Sequence, residues 1–125
     1  MEVKVYGSAH CVTSLKAKQW LEHHQLPYQF VDLEERDLST EEAEELCSFE
    51  EVQAEQLFAT WSEAFHNIAI DLSCVGKKQL IFLCTQHTNL LRRPLIIIDE
   101  VLFIGYNEQL MEQLILNKLE WQQFF

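Results

Sequence analysis

One cysteine, Cys11, stands where a strand pattern has just ended and a helical pattern is about to begin. Val3 and Val5 alternate with Lys4, and a polar loop follows, so residues 2–6 read as a strand. From Val12 the apolar residues Val12, Leu15, Trp20 and Leu21 recur at helical spacing, so the thiol sits at a helix start. Such a start offers unpaired N–H groups and roughly half a positive elementary charge. A thiolate there is stabilised, so the thiol pKa falls from its free value of ~8.5 toward neutrality, and the sulfur becomes a nucleophile at cellular pH. Ser14 lies one helical turn further on and can donate its O–H to the same sulfur. His10 adds a positive charge when protonated, although an exposed loop histidine is the plainer reading. Most free cysteines are buried and inert; the strand–loop–Cys-x-x-Ser–helix order is what favours the reactive alternative.

The elements that must hold this thiol follow in order. A helix over 12–24 ends at Gln25-Leu26-Pro27, and a second strand runs from Tyr28 to Asp32, which together make a βαβ unit with parallel strands. Ser39-Thr40-Glu41-Glu42 is a capping box opening a helix over 40–47. Further helices are predicted near 50–59, after Ser62 in a short helix carrying Ala64 and Phe65, and over 77–86 with Leu80, Ile81, Leu83 and Cys84 inward. The β-branched run Leu95-Ile96-Ile97-Ile98 reads as a strand buried on both faces, and Val101–Ile104 as its hairpin partner through Asp99-Glu100. Asn107 caps a last helix over 108–118 with Leu110, Met111, Leu114 and Ile115 inward, and an aromatic tail from Trp121 to Phe125 follows.

This order predicts an α/β fold: a thioredoxin-like core, β-α-β then β-β-α, with an all-helical insertion at about 39–88, in a single domain over 1–125. In such a core the proline before the third strand is usually cis, and its loop lies against the reactive cysteine. Pro94 holds that place. Arg93 before it can present a guanidinium fork toward the Cys11 thiolate, lower its pKa further and hold an oxyanion bidentately. Arg92 has the weaker claim.

Length and charge narrow the function. At 125 residues the chain can bury a substantial core. A net charge of −11, from 9 basic and 20 acidic residues, repels nucleic acid, so direct DNA binding is not expected and a basic protein partner is. With no signal-like start and no apolar run of membrane-spanning length, the expectation is a cytoplasmic protein without a membrane, where Cys11, Cys47, Cys74 and Cys84 stay reduced.

Tyr6, Cys11-Val12-Thr13-Ser14, the segment Thr60 to Phe65, Leu90-Leu91-Arg92-Arg93-Pro94-Leu95-Ile96-Ile97-Ile98-Asp99-Glu100 and Gly105-Tyr106-Asn107-Glu108 carry a resemblance to the arsenate reductase/Spx family, most of all to Spx-type regulators. The resemblance spans nearly the whole chain. It implies one of two activities. Spx-type members bind the C-terminal domain of the RNA polymerase α subunit and alter transcription under disulfide stress, commonly through a Cys-x-x-Cys switch. Arsenate reductases use one cysteine at the Cys11 position, with arginines holding the oxyanion.

The chain departs from both patterns. Ser14 replaces the second cysteine, so Cys11 has no partner within the motif, while a mixed disulfide with a small thiol remains open. Trp61 stands where the family usually has an arginine, Gln53 aligns near a glycine of the Spx polymerase contact, and no arginine lies beside Phe103. Three readings stay open. The first is an Spx-like regulator that binds the C-terminal domain of the RNA polymerase α subunit, with Cys11 as a single-thiol redox sensor. The second is a thiol-dependent reductase in which Cys11 is the nucleophile, Ser14 and the helix start stabilise the thiolate, and Arg93 holds the oxyanion. The third is a redox-inert interaction module. No cofactor is expected beyond a small thiol such as glutathione as reductant, and no metal: Cys84-x-x-His87 has a metal-like spacing but lacks the second pair that a zinc site needs. Cys47 and Cys74 read as core or half-buried residues, and only coordinates can tell whether either reaches another sulfur.

Overall fold

A computed structural model describes residues 2–124, and the side chains of 2–117. Four strands, β1 (Val3–Gly7), β2 (Gln29–Asp32), β3 (Leu95–Ile98) and β4 (Val101–Ile104), form one sheet in the order β2-β1-β3-β4. β1 and β2 run parallel, while β1–β3 and β3–β4 are antiparallel. Among the described residues six α-helices accompany them: α1 (Val12–His23), α2 (Thr40–Cys47), α3 (Ala54–Leu57), α4 (Glu63–Asn67), α5 (Lys77–Gln86) and α6 (Glu108–Phe124). The thioredoxin-like core and the helical insertion therefore stand as expected.

The period of two along the strands divides the core. Val3, Val5, Ile96 and Ile98 face one side and pack with Ala17, Trp20 and Leu21 of α1 and Met111 and Ile115 of α6. Tyr6, Val31, Leu95 and Ile97 face the other side and pack with Ala43, Leu46, Leu57, Phe65, Leu83 and Cys84 of the insertion. Each aliphatic side chain so enclosed contributes about 1.5–3 kcal/mol, and all four residues of β3 are buried. Two layers of helix thus cover both faces of the sheet, which is why β3 reads as an unbroken apolar run.

The caps are where the sequence places them. Ser39 Oγ accepts from Glu42 N–H at 3.1 Å while Glu42 Oε1 accepts from Ser39 N–H at 2.9 Å. Ser62 Oγ accepts from Phe65 N–H, and Asn107 Oδ1 from Leu110 N–H.

Four expectations are corrected. The helix near 50–59 shrinks to Ala54–Leu57, because the chain after it turns into a bridge. Arg92 N–H donates to Leu57 O and Ala59 N–H to Leu90 O, both at 2.8 Å, and these bonds take the backbone away from a helical path. Of the four apolar residues at helical spacing in α1, Val12 and Leu15 are 66% and 38% exposed and do not share the buried face of Trp20 and Leu21. The buried seam of α1 is Ser14, Ala17, Trp20 and Leu21 instead. Leu110 is half exposed while Met111 and Ile115 take the core positions of α6. That helix runs on to Phe124 rather than ending near 118, and the side chains of the aromatic tail lie outside the described residues.

The first half of the α1 seam, Ser14 and Ala17, is small because α1 lies hard against β1 there. A Cβ built on Gly7 would stand 2.5 Å from Ser14 Oγ and 2.9 Å from Ser14 Cβ. Gly7→Ala therefore forces the strand and helix apart, and overpacking of this kind costs about 1–3 kcal/mol. Urea unfolding of the variant is expected to show that loss; a midpoint equal to the parent's would refute the close approach.

Candidate functional site

Cys11 is the N-cap of α1, with extended backbone at φ −99° and ψ 120°, and it is partly exposed. Its N–H donates to Ser8 O at 3.2 Å, which closes the loop between β1 and α1. Thr13 Oγ1 lies 3.2 Å from the sulfur. The same hydroxyl lies 3.5 Å from the carbonyl oxygen of Arg93. A hydroxyl has one proton, so Thr13 can donate to only one of these two acceptors at a time.

Partial burial pushes the Cys11 thiol up, but hydrogen bonds to the hydroxyls and backbone N–H groups of Ser14 and Thr13 outweigh it, and the pKa lies below the ordinary thiol value. Ser14 has a second task. It is fully buried, and its Oγ accepts from Ser8 N–H at 3.2 Å, fixing the loop that carries the cysteine. It therefore acts on the sulfur and on the scaffold at once.

Arg93 takes its expected place before a cis proline, since the Arg93–Pro94 bond is cis and Pro94 is buried. Its carbonyl faces α1, whereas its guanidinium pairs with Glu34 Oε1 at 3.6 Å. His10 Nδ1 meets the other oxygen of that carboxylate at 2.8 Å. Hydrogen bonding to Glu34 raises the His10 pKa, and hydrogen bonds from Ser8 and His10 lower that of Glu34. Glu34 is thus the hub of the charged rim around Cys11, and sequence reasoning missed it. It lies in the run Glu34-Glu35-Arg36-Asp37, where nothing in residue type or spacing marks one acid above its neighbours.

Arg92 is turned toward the insertion. Its Nε–H donates to Phe58 O at 3.2 Å, and its guanidinium lies over the Trp61 ring at 4.6 Å. Trp61 is 67% exposed, so the stack stands in solvent at the edge of a cleft of about 390 Å³ shared with Ala59, Leu91, Arg93 and Gly105. Cys74 is exposed and donates to Asp71, while Cys47 and Cys84 lie in the insertion. Among the described residues no cluster of three or more His, Cys, Asp and Glu side chains has the arrangement of a metal site, and no helix is long and apolar enough to cross a membrane.

Three comparisons bear on this geometry. A family model described as the ArsC family matches residues 6–114. The global transcriptional regulator Spx of Listeria innocua is 35% identical over 106 residues, which is 85% of this chain and 81% of that protein. Among solved structures, an ArsC family related protein from Bacteroides fragilis superposes with a TM-score of 0.75 at 20% identity, covering 91% of this chain and 98% of that one. The arsenate reductase from Vibrio cholerae superposes at 0.71 and 19% identity, covering 82% and 87%.

The hydroxyls around the sulfur set the pH at which Cys11 reacts. Alkylation by iodoacetamide, followed against pH and read at Cys11 by mass spectrometry, is expected to titrate below the midpoint of a free thiol. Thr13→Ala and Ser14→Ala are each expected to move it upward, since both remove a donor that favours the thiolate. A wild-type midpoint at the free-thiol value would show that the helix start and its hydroxyls leave the sulfur unactivated.

Proposed function

The chain belongs to the ArsC family, and from that premise we propose that it is an Spx-like regulator that works by binding RNA polymerase at the C-terminal domain of the α subunit. The observation that carries the reading is the 35% identity with Spx across 85% of the chain. In this reading the protein contacts the transcription machinery and not DNA, consistent with a net charge of −11. Cys11 is a one-thiol sensor. Its thiolate, favoured by Ser14 and Thr13, attacks an oxidant or a small disulfide, and with Ser14 in place of a second cysteine the product is a sulfenic acid or a mixed disulfide with a small thiol such as glutathione. The Arg93 carbonyl lies against Thr13, whose hydroxyl also meets the sulfur, so in this reading an added group there meets the rim formed by His10, Glu34 and Arg93.

The lowered thiol pKa and the likeness to arsenate reductase structures favour a second reading, a thiol-dependent reductase with Cys11 as nucleophile, Ser14 as thiolate donor and Arg93 as oxyanion holder. Electrostatics weigh against it. The Arg93 guanidinium is 3.6 Å from the Glu34 carboxylate, whose charge repels an arriving oxyanion, and Trp61 brings no charge of its own. The regulator reading is therefore preferred.

Purified chain titrated into the labelled C-terminal domain of the polymerase α subunit is expected to give saturable micromolar binding. Absence of binding with both reduced and oxidised chain would overturn the regulator reading. In the companion assay, arsenate with a thiol donor is expected to show no turnover above background; turnover lost in Cys11→Ser would establish the reductase instead.

A further inference from the structure

Outside the Cys11 loop the insertion brings two more sulfurs together. Cys47 is the last residue of α2, and Cys84 lies two turns into α5, which packs directly on α2. Cys47 packs against the buried cluster that contains Cys84, and each thiol perturbs the ionisation of the other. Their exposure differs: Cys84 is fully buried among Leu46, Leu83 and their neighbours, while Cys47 is partly open at the end of its helix. Lys77, at the start of α5, places a positive charge near Cys47. One thiol is thus partly open to solvent while the other is enclosed on the helix packed against it.

We propose that Cys47 and Cys84 form a reactive dithiol pair, distinct from Cys11, that a hydroperoxide oxidises to an intramolecular disulfide across α2 and α5. In the first step the Cys47 thiolate attacks the peroxide oxygen. An S–O bond forms, the O–O bond breaks, and the leaving oxygen takes a proton to depart as an alcohol or, from hydrogen peroxide, as water. In the second step the Cys84 sulfur attacks the Cys47 sulfenic acid. The S–S bond forms, the S–O bond breaks, and the hydroxide carries away the Cys84 proton as water. Two thiols are oxidised by two electrons and one peroxide is reduced. Cys47 is suited to the first step because the Cys84 thiol and the Lys77 ammonium lower its pKa against the effect of burial. Cys84, held neutral by the neighbouring thiol and by burial, is suited to the second, where it meets an electrophile on the helix packed against its own.

The proposal does not rest on the reading of Cys11 or on polymerase binding. It is tested on the full chain carrying Cys11→Ser and Cys74→Ser, so that only the pair remains. Hydrogen peroxide treatment, alkylation of residual thiols and peptide mass mapping are expected to show a Cys47–Cys84 cross-link with the loss of two hydrogens, reversed by dithiothreitol. Because the folded chain holds the sulfurs together, the cross-link is expected to form at least about tenfold faster than in concentrated urea, and at a rate independent of protein concentration. Oxidation of Cys47 to sulfinic acid with Cys84 left as free thiol would overturn the proposal. Formation only in urea, or only between two chains, would overturn it equally. The same measurement on the unsubstituted chain guards against a folding defect in the variant: a Cys47–Cys84 cross-link there supports the pair, and its absence refutes it.

Discussion

The closeness of α1 to β1 governs everything else in this structure. Gly7 has no Cβ, so the buried side of α1 can come down onto the end of the strand until Ser14 fills the space a methyl group would take. That contact places Ser14 Oγ on the amide of Ser8 and leaves Cys11 at the helix mouth, with the loop between them bonded to itself. The Arg93–Pro94 loop closes the site from the other side, with the Arg93 carbonyl against Thr13. The sulfur is therefore positioned by one missing carbon on the strand, one small polar residue on the helix and one loop.

Around this fixed centre the charges are arranged less simply than residue type implies. Arg93 is the basic residue that the loop offers, yet its guanidinium belongs to Glu34, and His10 shares the same carboxylate. The result is a balanced rim rather than an anion hole. On the insertion side Arg92 lies over Trp61, so the exposed aromatic beside the loop carries a borrowed charge on its face. A site so furnished suits a neutral or thiol-bearing reaction partner better than a free oxyanion, and it offers a mixed polar and aromatic surface to a protein.

Much of the architecture was legible from spacing alone. Strands alternate, helices recur, and Ser39, Ser62 and Asn107 sit at the helix starts that their side chains cap. The Cys11 and Pro94 placements followed from element order. Other features were not legible, for identifiable reasons. Val12 and Leu15 carry the apolar signal of the first turn of α1, but the close approach at Gly7 admits only small side chains there, so the apolar ones are turned outward. The helix near 50–59 is confined to Ala54–Leu57, its end set by backbone pairing with residues 90–92, a long-range competition that local propensity does not record. Glu34 looks like any loop acid until the Arg93 loop folds beside it. The meeting of Cys47 with Cys84 depends wholly on how α2 packs on α5.

The order of strands in the sheet has a kinetic side. The central pair joins Val5 to Ile96 and Tyr6 to Leu95, so the middle of the sheet cannot form until the whole insertion has been synthesised and drawn in. Contacts between residues so distant in sequence carry the entropy of closing a long loop before they return any burial. Wherever β1 and β2 pair before β3 is in place, the free edge of β1 is left open to other extended chains, and β3 is the strand that closes it.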